Sequence, residues 1–238
     1  AHNQTGFRTL QPTVDTPNEM GIIHIPRVIA SCARGYYRRR NMPGIIGARS
    51  EKPSIVNGVG LSEPHTFRSR VGLFDIDAFA HMNHSAYLTQ AEYARWEMSA
   101  MNGSFECMLH NKTTFIVSGA AVRYRREIGP LFRQFEIQTI FGSIDERNAW
   151  IYHTFRYPGE NRGKILAQLL IQAVMVRDGK VLEPRLFMKE CGVDPQLIER
   201  LYNSHDEVHM EKKLSSFEDL EKAMRESAAA EDERIDGL

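Results

Sequence analysis

Four stretches in the middle of the chain, residues 113–126, 132–144, 149–157 and 164–177, are rich in Ile, Val, Phe, Tyr and Thr and partly alternate apolar with polar positions. A period of two sends successive side chains to opposite faces of an extended strand, and branched and aromatic residues suit a pleated surface, so each stretch predicts a strand. The breaks between them carry turn formers: Gly129-Pro130, Asp145-Glu146-Arg147-Asn148 and Pro158-Gly159-Glu160-Asn161. Asp178-Gly179 after the last stretch reads as a tight turn. A shorter strand is predicted over 67–73. Between it and the meander, residues 83–101 have helical spacing, but Ala86, Tyr87, Leu88, Ala91, Tyr93, Ala94, Trp96 and Met98 occupy several faces of that helix. A helix apolar on several sides is buried on several sides. The expected architecture is α+β, one antiparallel sheet curling around a central helix.

The flanks are patterned differently. Residues 1–65 are interrupted by Pro12, Pro17, Pro26, Pro43 and Pro53 and by seven glycines, and show no sustained period. They are expected to form an extended arm. Within the arm, residues 27–40 (RVIASCARGYYRRR) can form a short basic helix that Asn41-Met42-Pro43-Gly44 would end. Its readings are a surface for anionic partners, the remnant of an organelle-targeting segment, or a plain solvated arm. Residues 194–238 open helically at Asp194-Pro195, a cap followed by proline at the first helical position, with Leu197, Ile198, Leu201 and Tyr202 as a docking face. Ser215-x-x-Glu218 is a capping pattern that predicts a second helix with a solvated acidic end. Three parts follow: a basic arm (1–65), a central domain (66–193) and an acidic helical extension (194–238).

Composition narrows the function. The 238 residues are 42% hydrophobic and 25% charged, ample for a folded core. No run reaches the roughly 18 apolar residues of a membrane span. Cys32, Cys107 and Cys191 contain no C-x-x-C pair, which argues against a disulfide framework and a zinc ribbon; Cys107 and Cys191 read as small packing residues in a reducing compartment. Lys+Arg and Asp+Glu balance at 30 each, so bulk capture of nucleic acid is not expected, and no direct nucleic-acid motif is present. The balance conceals net charges of +4 over 1–65, +3 over 66–193 and −7 over 194–238. His205 and His209 are four apart in HDEVH, but Glu207 is one place off a zinc-protease helix and no third ligand is evident, so no metal site is expected.

The densest set of chemically able side chains is residues 74–95, FDIDAFAHMNHSAYLTQAEYAR. Asp75, Asp77, His81, Asn83, His84 and Tyr87 fall where a strand turns into the central helix. That turn leaves backbone N–H groups without partners beside the positive end of the helix dipole. Such groups can polarise a thioester carbonyl and hold the oxyanion formed on attack, and a neighbouring carboxylate can attack the carbonyl or activate water.

The run D-x-D-x-x-x-H-M-N-H-x-x-Y-L followed by E-x-A-R resembles the signature of 4-hydroxybenzoyl-CoA thioesterase-like hotdog proteins, roughly D-x-D-x-x-G-H-V-N-N-x-x-Y then E-x-A-R. The form HMN followed by YL, with a long amino-terminal extension, is similar to the eukaryotic thioesterase superfamily member 6 branch. The resemblance implies a single hotdog domain and makes Asp77 the catalytic nucleophile or general base; the alternative is a turn cap. Asp75 matches a more variable, structural position. His81 and His84 are candidate acid–base partners, or structural histidines, since imidazole titrates near neutrality. Asn83 would orient the turn or donate to the carbonyl, and Tyr87 would line the acyl pocket. Glu92 and Arg95 are expected as a helix ion pair, with Glu92 a substitute base. Arg125 and Arg126, with Arg123, are candidates for coenzyme A phosphates or a solvated strand end. Ala80 stands where the family has glycine, and Phe79 where plant relatives have asparagine.

The resemblance implies hydrolysis of an acyl-CoA or acyl-carrier-protein thioester with no cofactor beyond the coenzyme A thioester substrate, in a homodimer or hotdog heterodimer with sites at the interface. Dehydratase signatures are absent. The competing reading is a non-catalytic hotdog subunit of a large mitochondrial assembly (a ribosome or a respiratory or ATP synthase complex), held through residues 1–65 and 194–238. The arginine-rich, acid-poor arm beginning at Ala1 makes the mitochondrion the expected compartment, with the cytoplasm as the alternative.

Overall fold

The computed structural model describes residues 19–41, 53–56, 58–159 and 164–203, together with Asp219 and Lys222. The elements run α1 (Glu19–Arg40), β1 (His65–Arg70), a 3-10 turn (Leu73–Asp75), α2 (His84–Asn102), α3 (Ser104–His110), β2 (Thr113–Tyr124), β3 (Gln134–Ile144), β4 (Asn148–Arg156), β5 (Ala167–Arg177), β6 (Lys180–Leu182), α4 (Pro184–Glu190) and α5 (Pro195–Asn203). All strand pairings are antiparallel in the order β1-β3-β4-β5-β2, and the short β6 returns against the end of β5. This is the expected hotdog arrangement. The four long strands fall on the four sequence stretches, and Asp178 and Gly179 take the positive φ values of the tight turn into β6. Strand β2 lies at a sheet edge, breaks register between Val117 and Gly119, and leaves Ile116, Val117 and Tyr124 exposed.

The inward faces of the strands, with Phe135, Ile137, Ile151, Phe155, Leu169 and Ile171, form one core with Tyr87, Ala91, Ala94 and Met98 of α2. Trp150 and Leu170 form a small separate cluster with Ala121 and Tyr152. Helix α2 is indeed buried on several sides, but the sheet accounts for only part of that burial; α1 supplies the rest.

Helix α1 begins at Glu19, earlier than the predicted 27, and ends at Arg40 as expected. It packs along α2. Arg34 and Arg38 reach the buried Glu97 at 3.2 and 2.6 Å, Arg27 approaches Asp75 at 3.5 Å, and Arg39 lies 2.5 Å from Glu106. Gly35 sits so close that a Cβ there would lie 2.2 Å from the Glu97 carbonyl oxygen, so no larger residue fits without parting the helices. The arm hides this contact in the sequence because its packing face is made of Val28, Ser31 and Gly35 flanked by arginines, and apolar periodicity cannot reveal a face with so few apolar residues. The same contacts correct the reading of a plain solvated arm: four of the helix's arginines meet carboxylates of the domain.

The helix after Asp194 forms as expected: Asp194 Oδ1 accepts from the Gln196 amide at 2.7 Å, and Leu197, Ile198 and Leu201 are buried. Cys107 and Cys191 are buried, in keeping with a packing role. Short helices α3 and α4 are additions to the predicted elements. The second tail helix and the pair His205 and His209 lie outside the described residues, apart from helical Asp219 and Lys222.

Candidate functional site

The connection from β1 to α2 is built by two aspartates with different jobs. Asp75 is buried, and its Oδ2 accepts from the Gly72 amide and the Gln90 side-chain amide, both at 2.9 Å. With Arg27 on its other oxygen, it pins the connection to both α1 and α2. Asp77 is exposed. Its Oδ1 accepts from the amides of Phe79 (2.9 Å) and His81 (3.2 Å), while the Asp77 amide donates to the His81 carbonyl at 2.9 Å. The turn bends at Ala80, whose φ of 62° is left-handed, a region where glycine is at ease and alanine is strained. Among the described residues no hydrogen bond falls on Asp77 Oδ2. The carboxylate is therefore anchored through one oxygen and open through the other.

Asn83 caps α2, its Oδ1 accepting from the Ala86 amide at 2.9 Å and from the Ser85 hydroxyl at 2.7 Å. Its Nδ2 lies 3.4 Å from the Phe74 carbonyl. The next two amides, of His84 and Ser85, occupy the first helical positions and have no acceptor within the helix. The His84 ring stacks on Tyr124 at 4.8 Å, and Tyr87 meets Tyr124 and Phe155 at 4.9 and 5.3 Å. Burial, reinforced by Tyr124 and Tyr157, pushes the Tyr87 phenol up to about 12, so it stays protonated at neutral pH. His81 Nε2 lies 3.2 Å from Glu127 Oε2. The Met82 amide donates to the Ile128 carbonyl at 2.8 Å, so the connection between β2 and β3 closes over the same end of α2.

Asp77, His81, Asn83, His84 and Tyr87 are thus brought together at the amino-terminal end of α2, against the last residues of β2. Arg125 and Arg126 follow Tyr124 directly and are exposed; Arg126 Nη1 donates to the Ile165 carbonyl at 2.9 Å. Arg123 lies exposed just before them.

A cavity of about 370 Å³ lies farther along α2, between that helix, α3 and the sheet. Leu61, Met98, Phe105, Phe115, Ile151 and Met175 give it apolar walls, and Glu92, Arg95 and Trp96 also line it. None of the Asp77 group lines it.

The expected Glu92–Arg95 ion pair is not made. Glu92 instead faces His24 of α1 at 3.5 Å and accepts from the Trp96 indole at 3.3 Å. Arg95 turns toward the sheet, where Nη1 lies 3.3 Å from His153 Nε2, and His153 contacts Thr139 at 2.9 Å. Burial draws the Arg95 guanidinium down to about 10, and burial with the nearby Arg95 holds His153 well below the usual histidine range. His153 is therefore neutral at physiological pH. Sequence reasoning missed this buried pair, for which the only signal was a histidine at an inward position of a strand.

The profile of the thioesterase-like superfamily matches residues 71–200, and the chain belongs to that family. The THEM6 proteins of Danio rerio and Xenopus laevis are similar to it: 32% identical over 108 residues (45% of this chain, 52% of the relative) and 30% identical over 95 residues (40% and 45%). The chain spans about half the length of the curated relatives it matches. Among solved structures, the probable thioesterase YbaW of Escherichia coli is similar with a TM-score of 0.49 at 22% identity, covering 58% of this chain and 98% of that one.

Proposed function

We propose that this protein hydrolyses acyl thioesters of coenzyme A or acyl-carrier protein, with Asp77 as general base or nucleophile. The observation that carries the reading is the Asp77 carboxylate, fixed through Oδ1 and, among the described residues, without a hydrogen bond at Oδ2, at the same helix entrance as two amides without intrahelical acceptors. In the general-base form, Asp77 takes a proton from water and the resulting hydroxide attacks the thioester carbonyl carbon. The amides of His84 and Ser85 would hold the oxyanion. Collapse of the tetrahedral intermediate breaks the C–S bond, and the departing thiolate takes a proton from an imidazolium. His81 is favoured for that step because its Nε2 lies 3.2 Å from Glu127 Oε2, a contact that orients the ring at this end of the helix. Arg125 and Arg126 lie at the same end for coenzyme A phosphates, where guanidinium forks fit well.

The working unit in this reading is a homodimer. An exposed twelve-residue edge strand with apolar side chains is a template for a second copy. Antiparallel pairing of two β2 strands about Gly119 would set the Thr113-to-Val117 half of one against the Ala120-to-Tyr124 half of the other. That places the cavity of one copy beside the Asp77 group of its partner and gives the acyl chain an apolar compartment. Ala80 in its strained turn favours the alternative of a non-catalytic subunit. The two readings separate in a thiol-release assay of the purified chain with short, medium, long and aromatic acyl-CoAs. Hydrolysis of at least one class is expected; inertness toward all four supports the subunit reading.

A further inference from the structure

Helix α1 is amphipathic in the reverse of the usual sense. Arg27, Arg34, Arg38 and Arg39 turn toward carboxylates of the domain. Large apolar side chains nevertheless face outward: Ile25, Ile29, Tyr36 and Tyr37 are 60%, 61%, 57% and 70% exposed. Because Arg27 holds Asp75, the turn Leu73–Asp75 stands beside the amino-terminal half of α1, and Leu73 and Phe74 there are 65% and 71% exposed. Single exposed apolar residues are ordinary on a protein surface, but six on two neighbouring elements mark a contact face.

The charge around that face identifies its occupant. Helix α1 contains five arginines against one acidic residue, Glu19 at its first position. The side chains of Arg34 and Arg38 keep about half of their surface in solvent, and Arg40 is exposed, so the apolar strip has a basic rim. Aliphatic and tyrosine side chains on one helix face, bordered by long cations whose stems lie along it, suit an interface between acyl chains and anionic headgroups. The side chains stand outward from a helix and a turn rather than lining a groove for a peptide.

We propose that α1 and the Leu73–Asp75 turn rest on an anionic lipid bilayer. Ile25, Ile29, Leu73 and Phe74 enter its acyl boundary, the two tyrosines sit at headgroup level, and Arg40, with the solvent-facing parts of Arg34 and Arg38, draws anionic headgroups to the rim. This is contact and not a span, since no helix among the described residues is long and apolar enough to cross a membrane. It does not depend on catalysis by Asp77.

Co-sedimentation of the full chain with phosphatidylcholine vesicles, with and without about 30% phosphatidylserine, tests the proposal. Binding is expected with phosphatidylserine, weakening with salt. Paired Ile25→Glu and Ile29→Glu substitutions should reduce it at least tenfold without shifting the thermal melt, and Asp77→Asn should leave it intact. In a Tyr36→Trp variant, indole emission should shift blue on vesicle addition and be quenched by brominated lipid. Absence of binding to phosphatidylserine vesicles overturns the proposal. So does binding with no change in Tyr36→Trp emission, or self-association abolished by the paired substitution in a chain that ignores vesicles.

Discussion

One oxygen of Asp77 closes a turn with the Phe79 and His81 amides and the other accepts no hydrogen bond among the described residues, so the turn-capping role leaves room on the same carboxylate for the proposed catalytic one. The cap fixes where the open oxygen stands. Ala80 within that turn carries a methyl group in left-handed backbone, a cost of about 1 kcal/mol that glycine would relieve, offset in part by the extra freedom glycine gives the unfolded chain. Ala80→Gly is therefore expected to leave the melting temperature nearly unchanged. If the methyl narrows the approach of the thioester, kcat/KM rises about three- to tenfold, an effect of ~1 kcal/mol. A fall in kcat/KM would show instead that the methyl group helps to form the site. At this scale the sequence was informative wherever the site is local: Asp77 through Tyr87 lie in one strand–turn–helix segment, so a motif suffices to gather them. It failed where partners are distant. Glu92 and Arg95 have the spacing of a helix pair, but His24 from the arm and His153 from β4 lie within reach of them and break the pair.

Between elements, the contact that decides most is α1 against α2. Burial alone would raise the Glu97 carboxyl, but His65, Arg34 and Arg38 together hold it below the usual range. A carboxyl depressed in the folded state takes up its proton less readily than in the unfolded chain. Its contribution is thus complete above the unfolded value of about 4.5 and is lost as pH falls through the lower folded value. Chemical denaturation followed from pH 7 to 3 should show stability falling below about pH 4.5. Glu97→Gln should cost about 2–3 kcal/mol at pH 7, less than the ~3–5 for breaking a wholly buried pair because Arg34 and Arg38 retain water. The variant should also show a flatter acid limb. An unchanged denaturation midpoint would mean that α1 is held by other contacts. This element escaped the sequence reading because its buried positions are small (Ser31 and Gly35), its arginines bridge to the domain from the margin, and large apolar side chains stand exposed. Segments α3 and α4, of seven residues each, are too short for helical periodicity to declare itself.

The whole molecule follows from consistency among long segments. Four strand stretches with turn residues between them and one helix buried on several sides leave few arrangements, and the observed sheet order is one of them. The cavity could not be read in advance, because its walls come from the segment before β1 and from α2, α3, β2, β3, β4, β5 and α4, and no contiguous segment marks it. Its separation from Asp77 within one chain is what the β2-paired dimer would resolve. Size-exclusion chromatography with light scattering should find two chains, and Ile116→Lys with Val117→Lys on the exposed edge should give one chain and little hydrolysis. A monomer with full activity would exclude a site shared between copies. The central claim is that Asp77 performs the thioester chemistry. It is tested most directly by steady-state thiol release from the preferred acyl-CoA by the unmodified chain and by Asp77→Asn, whose side-chain oxygen can still close the turn. The account predicts a loss of at least a hundredfold in kcat, about 2.7 kcal/mol, with the melting temperature preserved; an Asp77→Asn protein that keeps its activity would contradict it.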